Sequence, residues 1–169
     1  LEEYIKAANA GAGDRFGWSV ALLGNDFLAV GAPREDSATR AMFDNSLADS
    51  GAVYIYERQQ DGWRYRAFLK APSPDADDQF GYSVSFGDGV IAVGAPFEDG
   101  DGDGLNPAHN NNASDSGAVY LFRFTNGVWD GGTTLKSPRS SVGDRFGWQV
   151  SLSSSAETLA VGAPNDDHN

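Results

Sequence analysis

Residues 99–104 read DGDGDG, and no other stretch comes as near to a chemical motif. Asp99, Asp101 and Asp103 alternate with glycine, and Gly104 takes the sixth place of a D-x-D-x-D-G loop, the opening of a calcium-binding turn. Hard carboxylate oxygens on a tight glycine-rich turn suit Ca²⁺, which takes about six to eight oxygen ligands. The twelfth place, however, holds Asn110 where a bidentate Glu belongs, and the ninth holds Pro107. Calcium binding and a solvated acidic turn both remain open for this loop.

Weaker signals recur elsewhere. Acidic pairs at Glu35 and Asp36, and at Asp166 and Asp167, stand just after a Gly-Ala-Pro triplet. They would either line a rim or bind backbone amides in Asx-type turns, and the second is the expected role. Asn45 and Asp49 in one polar loop, and Asn111, Asn112 and Asp115 in another, precede an SGAVY sequence. Their amides and carboxylates suit a glycan or a partner's backbone, and they are equally ordinary turn residues. Trp18, Tyr82 and Trp148 recur at matching positions, as a sugar-stacking platform would, although recurrence favours packing between repeated units. His109 and His168 lie in polar loops, and the sequence holds no G-x-S-x-G elbow, phosphate loop or H-E-x-x-H. No catalytic residues are expected.

The elements that would carry these side chains come from a repeat. FGWSVALLGNDFLAVGAP begins at Phe16, FGYSVSFGDGVIAVGAP at Phe80 and FGWQVSLSSSAETLAVGAP at Phe146, a period of about 65 residues. A second echo, DSGAVYIYER from Asp49 and DSGAVYLFRF from Asp115, keeps the same phase. Each copy alternates bulky with small side chains: Phe16, Trp18, Val20 and Leu22 against Gly17, Ser19 and Ala21, then Leu28 and Val30 against Ala29 and Gly31. That period of two predicts a hairpin with one heavy face and one light face. Such sheets pack densely when stacked, heavy face into light face.

After each hairpin a long polar loop leads to two more strands, giving four strands per unit, the content of a propeller blade. The fold class predicted is all-β, with blades of four antiparallel strands: residues 14–72 as blade 1, 78–138 as blade 2 and 144–169 as an incomplete blade 3. Residues 1–7, LEEYIKA, match the ends of the fourth strands and are expected to form the outer strand of a preceding or completing blade. Two full blades with parts of flanking ones make a partial propeller, since closed rings have about four to eight blades.

Composition narrows the function classes. A formal charge of −12 argues against nucleic acid or an anionic membrane as partner, because both need basic stripes. There are no cysteines, hence no disulfide frame and no thiolate metal site. No apolar run nears the ~20 residues of a membrane helix, and Leu1 opens without a signal-peptide pattern, so a mature or excised segment is expected.

The paired signatures, Phe16-Gly17 with Gly31-Ala32-Pro33, Phe80-Gly81 with Gly94-Ala95-Pro96, and Phe146-Gly147 with Gly162-Ala163-Pro164, resemble the FG-GAP repeat family. That family includes the propeller head of integrin α chains and many bacterial surface or secreted proteins. The resemblance implies a propeller and an extracellular or cell-surface, non-enzymatic module binding protein or glycan. Integrin-type calcium loops between the FG and GAP strands do not carry over, because those connections here are short turns such as residues 24–26 and 87–89. Two further readings stay open: homotypic assembly through open edges, and a segment of a propeller enzyme.

Overall fold

A computed structural model describes residues 3–41 and 43–167 and is all-β. The first sheet runs in the order β1 (Ser19–Leu23), β2 (Phe27–Ala32), β3 (Ala52–Gln59) and β4 (Gly62–Leu69), every pair antiparallel. The second contains β5 (Ser83–Gly87), β6 (Val90–Ala95), β7 (Gly104–Leu105), β8 (Ala118–Thr125), β9 (Val128–Trp129) and β10 (Thr133–Lys136). Its four main strands follow the order β5-β6-β8-β10, with β7 added outside β10 and β9 paired to the end of β8. The third is the hairpin of β11 (Gln149–Leu152) and β12 (Leu159–Gly162). These sheets are the blades of a partial β-propeller.

The light-into-heavy stacking is what joins them. The light face of blade 1, with Ala29, Val53, Ile55 and Leu69, forms one core with the heavy face of blade 2, with Phe80, Val84, Phe86, Ile91, Tyr120 and Phe122. Blade 2 offers Ala92 and Val119 in turn to Phe146, Val150 and Leu152 of blade 3. At the tightest point the backbones almost touch. A Cβ on Gly31 would lie 2.2 Å from the Gly81 carbonyl oxygen, and one on Gly94 would lie 2.0 Å from that of Gly147. Ser19 Oγ donates to the same Gly81 oxygen at 2.8 Å and Ser83 Oγ to that of Gly147 at 2.9 Å, so each inner strand is riveted to the next.

Within a blade the two signatures form one unit: the Gly17, Gly81 and Gly147 amides donate to the carbonyls of Gly31, Gly94 and Gly162 at 3.0–3.1 Å. All three FG glycines have φ of +91°, a value costly for any residue with a Cβ. This kink moves the start of the inner strand. Phe16, expected on the strand, sits in the turn before β1, where its ring meets Tyr54 edge-on at 5.2 Å. Phe80, completely buried, packs likewise against Tyr120 and Phe122. Pro33 and Pro96 close the GAP triplets inside the protein, whereas Pro164 is exposed.

Two expectations about strands need correction. Residues 3–7 join no ladder, and positions 1 and 2 lie outside the described residues. A strand requires a hydrogen-bonded neighbour, and here side chains take that place: Tyr56 OH donates to the Lys6 carbonyl at 3.2 Å, and the Trp63 amide donates to Glu3 at 2.9 Å. The segment still does useful packing, laying Ile5 and Ala7 on the heavy face of blade 1 beside Tyr54, Tyr56 and Phe68. The fourth strand of blade 2 is also broken, between β9 and β10, where Gly132 has φ of +86° and leaves room for the Phe122 ring.

A buried aspartate precedes each FG. Asp14, Asp78 and Asp144 accept hydrogen bonds from the amides three residues back, at 2.6, 2.9 and 2.8 Å, pinning the approach to the kink. Burial pushes the Asp78 carboxyl up to about 8, the Asp75 amide opposes, and the charges of Glu98, Asp75 and Asp99 add to the rise. The native protein then binds a proton that the unfolded chain, titrating near 4, has already lost. Stability must fall as pH rises toward that value, by at most about 1.4 kcal/mol per unit. Thermal melts between about pH 5 and 8 should show this decline, and Asp78→Asn, which keeps the acceptor, should flatten it. An unchanged slope in the variant would remove Asp78 as the cause.

Candidate functional site

The second residue after each FG phenylalanine is aromatic, and the kink places it at the entrance of the inner strand. Trp18 and Tyr82 lie 5.4 Å apart between ring centroids, and Tyr82 and Trp148 4.8 Å, so three blades contribute to one continuous arc. Phe97 joins from the loop after β6, at 5.9 Å from Tyr82 and 6.1 Å from Trp148. The packing role expected of these rings is real, but it does not hide them: Trp18 is 48 % exposed. With Ser19, Val20, Ser83, Val84 and Gln149 they line an open cleft of about 370 Å³. Arg15 stands over the Trp18 ring at 5.0 Å, and Arg145 over Phe97 and Trp148 at 5.2 and 5.5 Å.

The long loops rise from the same end. Ser19 pairs with Gly31 and Ala32 with Ala52, so the start of β1, the end of β2 and the start of β3 share one rim. Residues 34–50 and 97–116 therefore stand beside the arc. Of the residues expected to bind a partner there, Asn45, Asn111 and Asn112 are exposed, and Asp36, Asp49 and Asp115 are partly so. Asp36 Oδ1 accepts from the Asp49 amide at 2.9 Å, while Asp99 Oδ1 accepts from the Asp115 amide at 2.8 Å, so each carboxylate ties the two ends of its long loop together instead of closing a local Asx turn. Asp49 and Asp115 then face Arg34 and Arg145 at 3.6 and 3.7 Å.

Glu35 is a correction. It is 1 % exposed and lies 3.5 Å from the buried Lys70 ammonium, with Ser37 and Asn9 also donating to its carboxylate. Its twin in blade 2, Glu98, pairs with Lys136, and Ser50 and Ser116 accept from the two lysines. A carboxylate so enclosed anchors the base of the loop and does not face a ligand. The sequence held the signal in LKA and LKS, a lysine that recurs inside an apolar strand end.

Asp99, Asp101 and Asp103 are not drawn to a common centre. Asp99 already serves the Asp115 amide, Asp103 Oδ1 accepts from the Ser140 amide at 3.3 Å, and Asp101 is exposed. Gly104 passes into β7, which pulls the turn out toward β10. Among the described residues no three acidic or histidine side chains are placed to hold a metal ion. His109 Nε2 lies 2.9 Å from Asp75, and His168 is outside the described residues.

A family model for the FG-GAP repeat matches residues 1–56, 63–122 and 133–169. The chain belongs to the FG-GAP repeat family. It is also 29 % identical to human integrin alpha-11 over 126 residues, which is 69 % of this chain and 8 % of that protein. The chain thus spans a small fraction of its relative's length. In FG-GAP terms the signature has a physical content: one glycine supplies the kink, the other supplies the hollow, and the aromatic between blades is left at the rim. Among the described residues no helix is long and apolar enough to cross a membrane. The chemistry offered at the rim is that of contact: aromatic faces, amides and hydroxyls over rigid sheets.

Proposed function

We propose that this FG-GAP segment is a non-enzymatic, extracellular or cell-surface module that binds a protein or glycan ligand on its loop-bearing rim. The observation that carries this is the aromatic arc, open to solvent and flanked by the two loops that differ most between repeats. Binding surfaces belong on variable loops over a rigid base. The rim needs no Ca²⁺ for this role: of the 99–104 carboxylates, Asp99 holds the Asp115 amide and Asp103 the Ser140 amide.

An exchange of loops tests it. Residues 97–116 replaced by 34–50 keep the anchoring Glu and Ser that Lys136 needs, so the melting temperature should stay within about 4 °C, equivalent to roughly 1 kcal/mol. Binding to an array of immobilised glycans and matrix proteins should change. Loss of the fold, or an unaltered binding pattern, counts against the rim.

A second reading, homotypic assembly, draws on the two outer faces. Val20 and Leu22 on the heavy face of blade 1 are 63 % and 61 % exposed, and the light face of blade 3 presents Gln149, Ser151 and Ala160 to solvent. They match as the internal blade faces do. Sedimentation across dilution should show reversible association that Val20→Glu with Leu22→Glu abolishes; a monomer at every concentration sets this reading aside.

A further inference from the structure

With the rim as the binding face, on which the choice of ligand rests, the arc has features that narrow what it can hold. A cationic partner would meet positive charge already in place at the arc. The guanidinium groups of Arg15, beside Trp18, and of Arg145, beside Phe97 and Trp148, would repel it. An anionic polymer would meet a formal charge of −12, and of the two arginines Arg145 is already turned toward Asp115. Both signs of charge are thereby disfavoured, and a neutral ligand is left.

The repeat itself points further. Each blade contributes one aromatic ring followed by one polar residue, Trp18 with Ser19, Tyr82 with Ser83 and Trp148 with Gln149. The rings succeed one another at 5.4 and 4.8 Å, tilted by 54° and 48°, so they touch and form one continuous strip across the blades. A strip that repeats from blade to blade complements a molecule that repeats its own unit. Pyranose rings offer an apolar C–H face for the aromatics and equatorial hydroxyls for polar neighbours. Ser19 Oγ already donates to Gly81 and so offers its lone pairs, while the exposed Gln149 amide both donates and accepts. A cleft of about 370 Å³, in which Ser19, Ser83 and Gln149 stand beside the rings and make the lining more polar than apolar, is of ordinary ligand-site size and suits a hydroxyl-rich ligand.

We propose that the Trp18–Tyr82–Trp148 arc binds a neutral oligosaccharide lying across successive blades.

The test is tryptophan fluorescence, with calorimetry, on the whole chain titrated with cellohexaose, mannohexaose and chitohexaose, and separately with a hyaluronan hexasaccharide and hexalysine. At least one neutral sugar should quench saturably, and Trp18→Ala should weaken it by about tenfold or more while Trp18→Phe retains most of the affinity. Trp18 is half exposed, so its replacement should leave the melting temperature nearly unchanged and the loss interpretable. The proposal is overturned if no neutral sugar binds at about 10 mM, if Trp18→Ala binds as well as the parent, or if hexalysine or hyaluronan binds through the arc instead. In that last case the rim is still a binding face and only its ligand class is wrong, whereas an unaffected loop exchange would remove the rim as well.

Discussion

Lys136→Ala is expected to destabilise the protein by about 3–5 kcal/mol, a fall in melting temperature of roughly 10 °C or more for a chain of this size. The ammonium group is almost wholly buried and is held between the Glu98 carboxylate and the Ser116 hydroxyl. Burial draws its pKa below the ordinary lysine value, and the Glu98 charge and hydrogen bond hold it up. Truncation leaves a carboxylate in a place with little water and no counter-charge, and that orphaned group, more than the lost attraction, sets the cost. The double variant Lys136→Met with Glu98→Leu should therefore recover most of the loss, because two apolar side chains leave nothing unpaired. Denaturant or thermal unfolding followed by circular dichroism measures both. A single variant within about 1 kcal/mol of the parent would mean that water reaches the pair and that it is no anchor.

The same pair shows where the sequence could be read and where it could not. Periodicity exposed the blades because alternation is local: Val20 and Leu22 oppose Ser19 and Ala21 within one strand, and the heavy and light faces follow from those few residues. The interlock of light on heavy faces was legible for the same reason. Glu35 was not, because a charged residue after Gly-Ala-Pro-Arg looks like surface, and its partner Lys70 lies a whole loop and two strands further on. Asp99, Asp101 and Asp103 are a different matter. Their spacing matches a calcium turn, but the course of that turn depends on the pairing of β7 with β10, a contact distant in sequence that local spacing does not reveal. Phe16 left its expected strand because positive φ values at Arg15 and Gly17, on either side of it, interrupt the extended chain, and neither residue announces in sequence which sign of φ it adopts. The arc was visible as a recurrence, but only the ring distances and the arginines above them show that one surface serves for packing and remains open.

Gly94→Ala is expected to cost about 3 kcal/mol, while the equivalent change at Gly162 costs no more than about 0.5 kcal/mol. Neither glycine has a left-handed backbone, so alanine is conformationally acceptable at both, and the difference lies wholly in what the new methyl group meets. At Gly94 it would fall 2.0 Å from the Gly147 carbonyl oxygen and 2.4 Å from Ser83 Oγ. The serine can turn away, but the carbonyl belongs to the FG kink of the next blade and can retreat only if the two sheets part. Parting them would open the Ala92, Val119 and Val150 contact and break the Ser83 hydrogen bond, which places the cost at the upper end of overpacking. At Gly162 the nearest atoms are those of Gln149, at 3.7 Å, an ordinary contact. Limited proteolysis should accompany the melts, with cleavage in residues 138–145 rising in Gly94→Ala and unchanged in Gly162→Ala. Equal costs at the two positions would show that the hollow is not what joins the blades, and the light-on-heavy account of the stack would have to be abandoned.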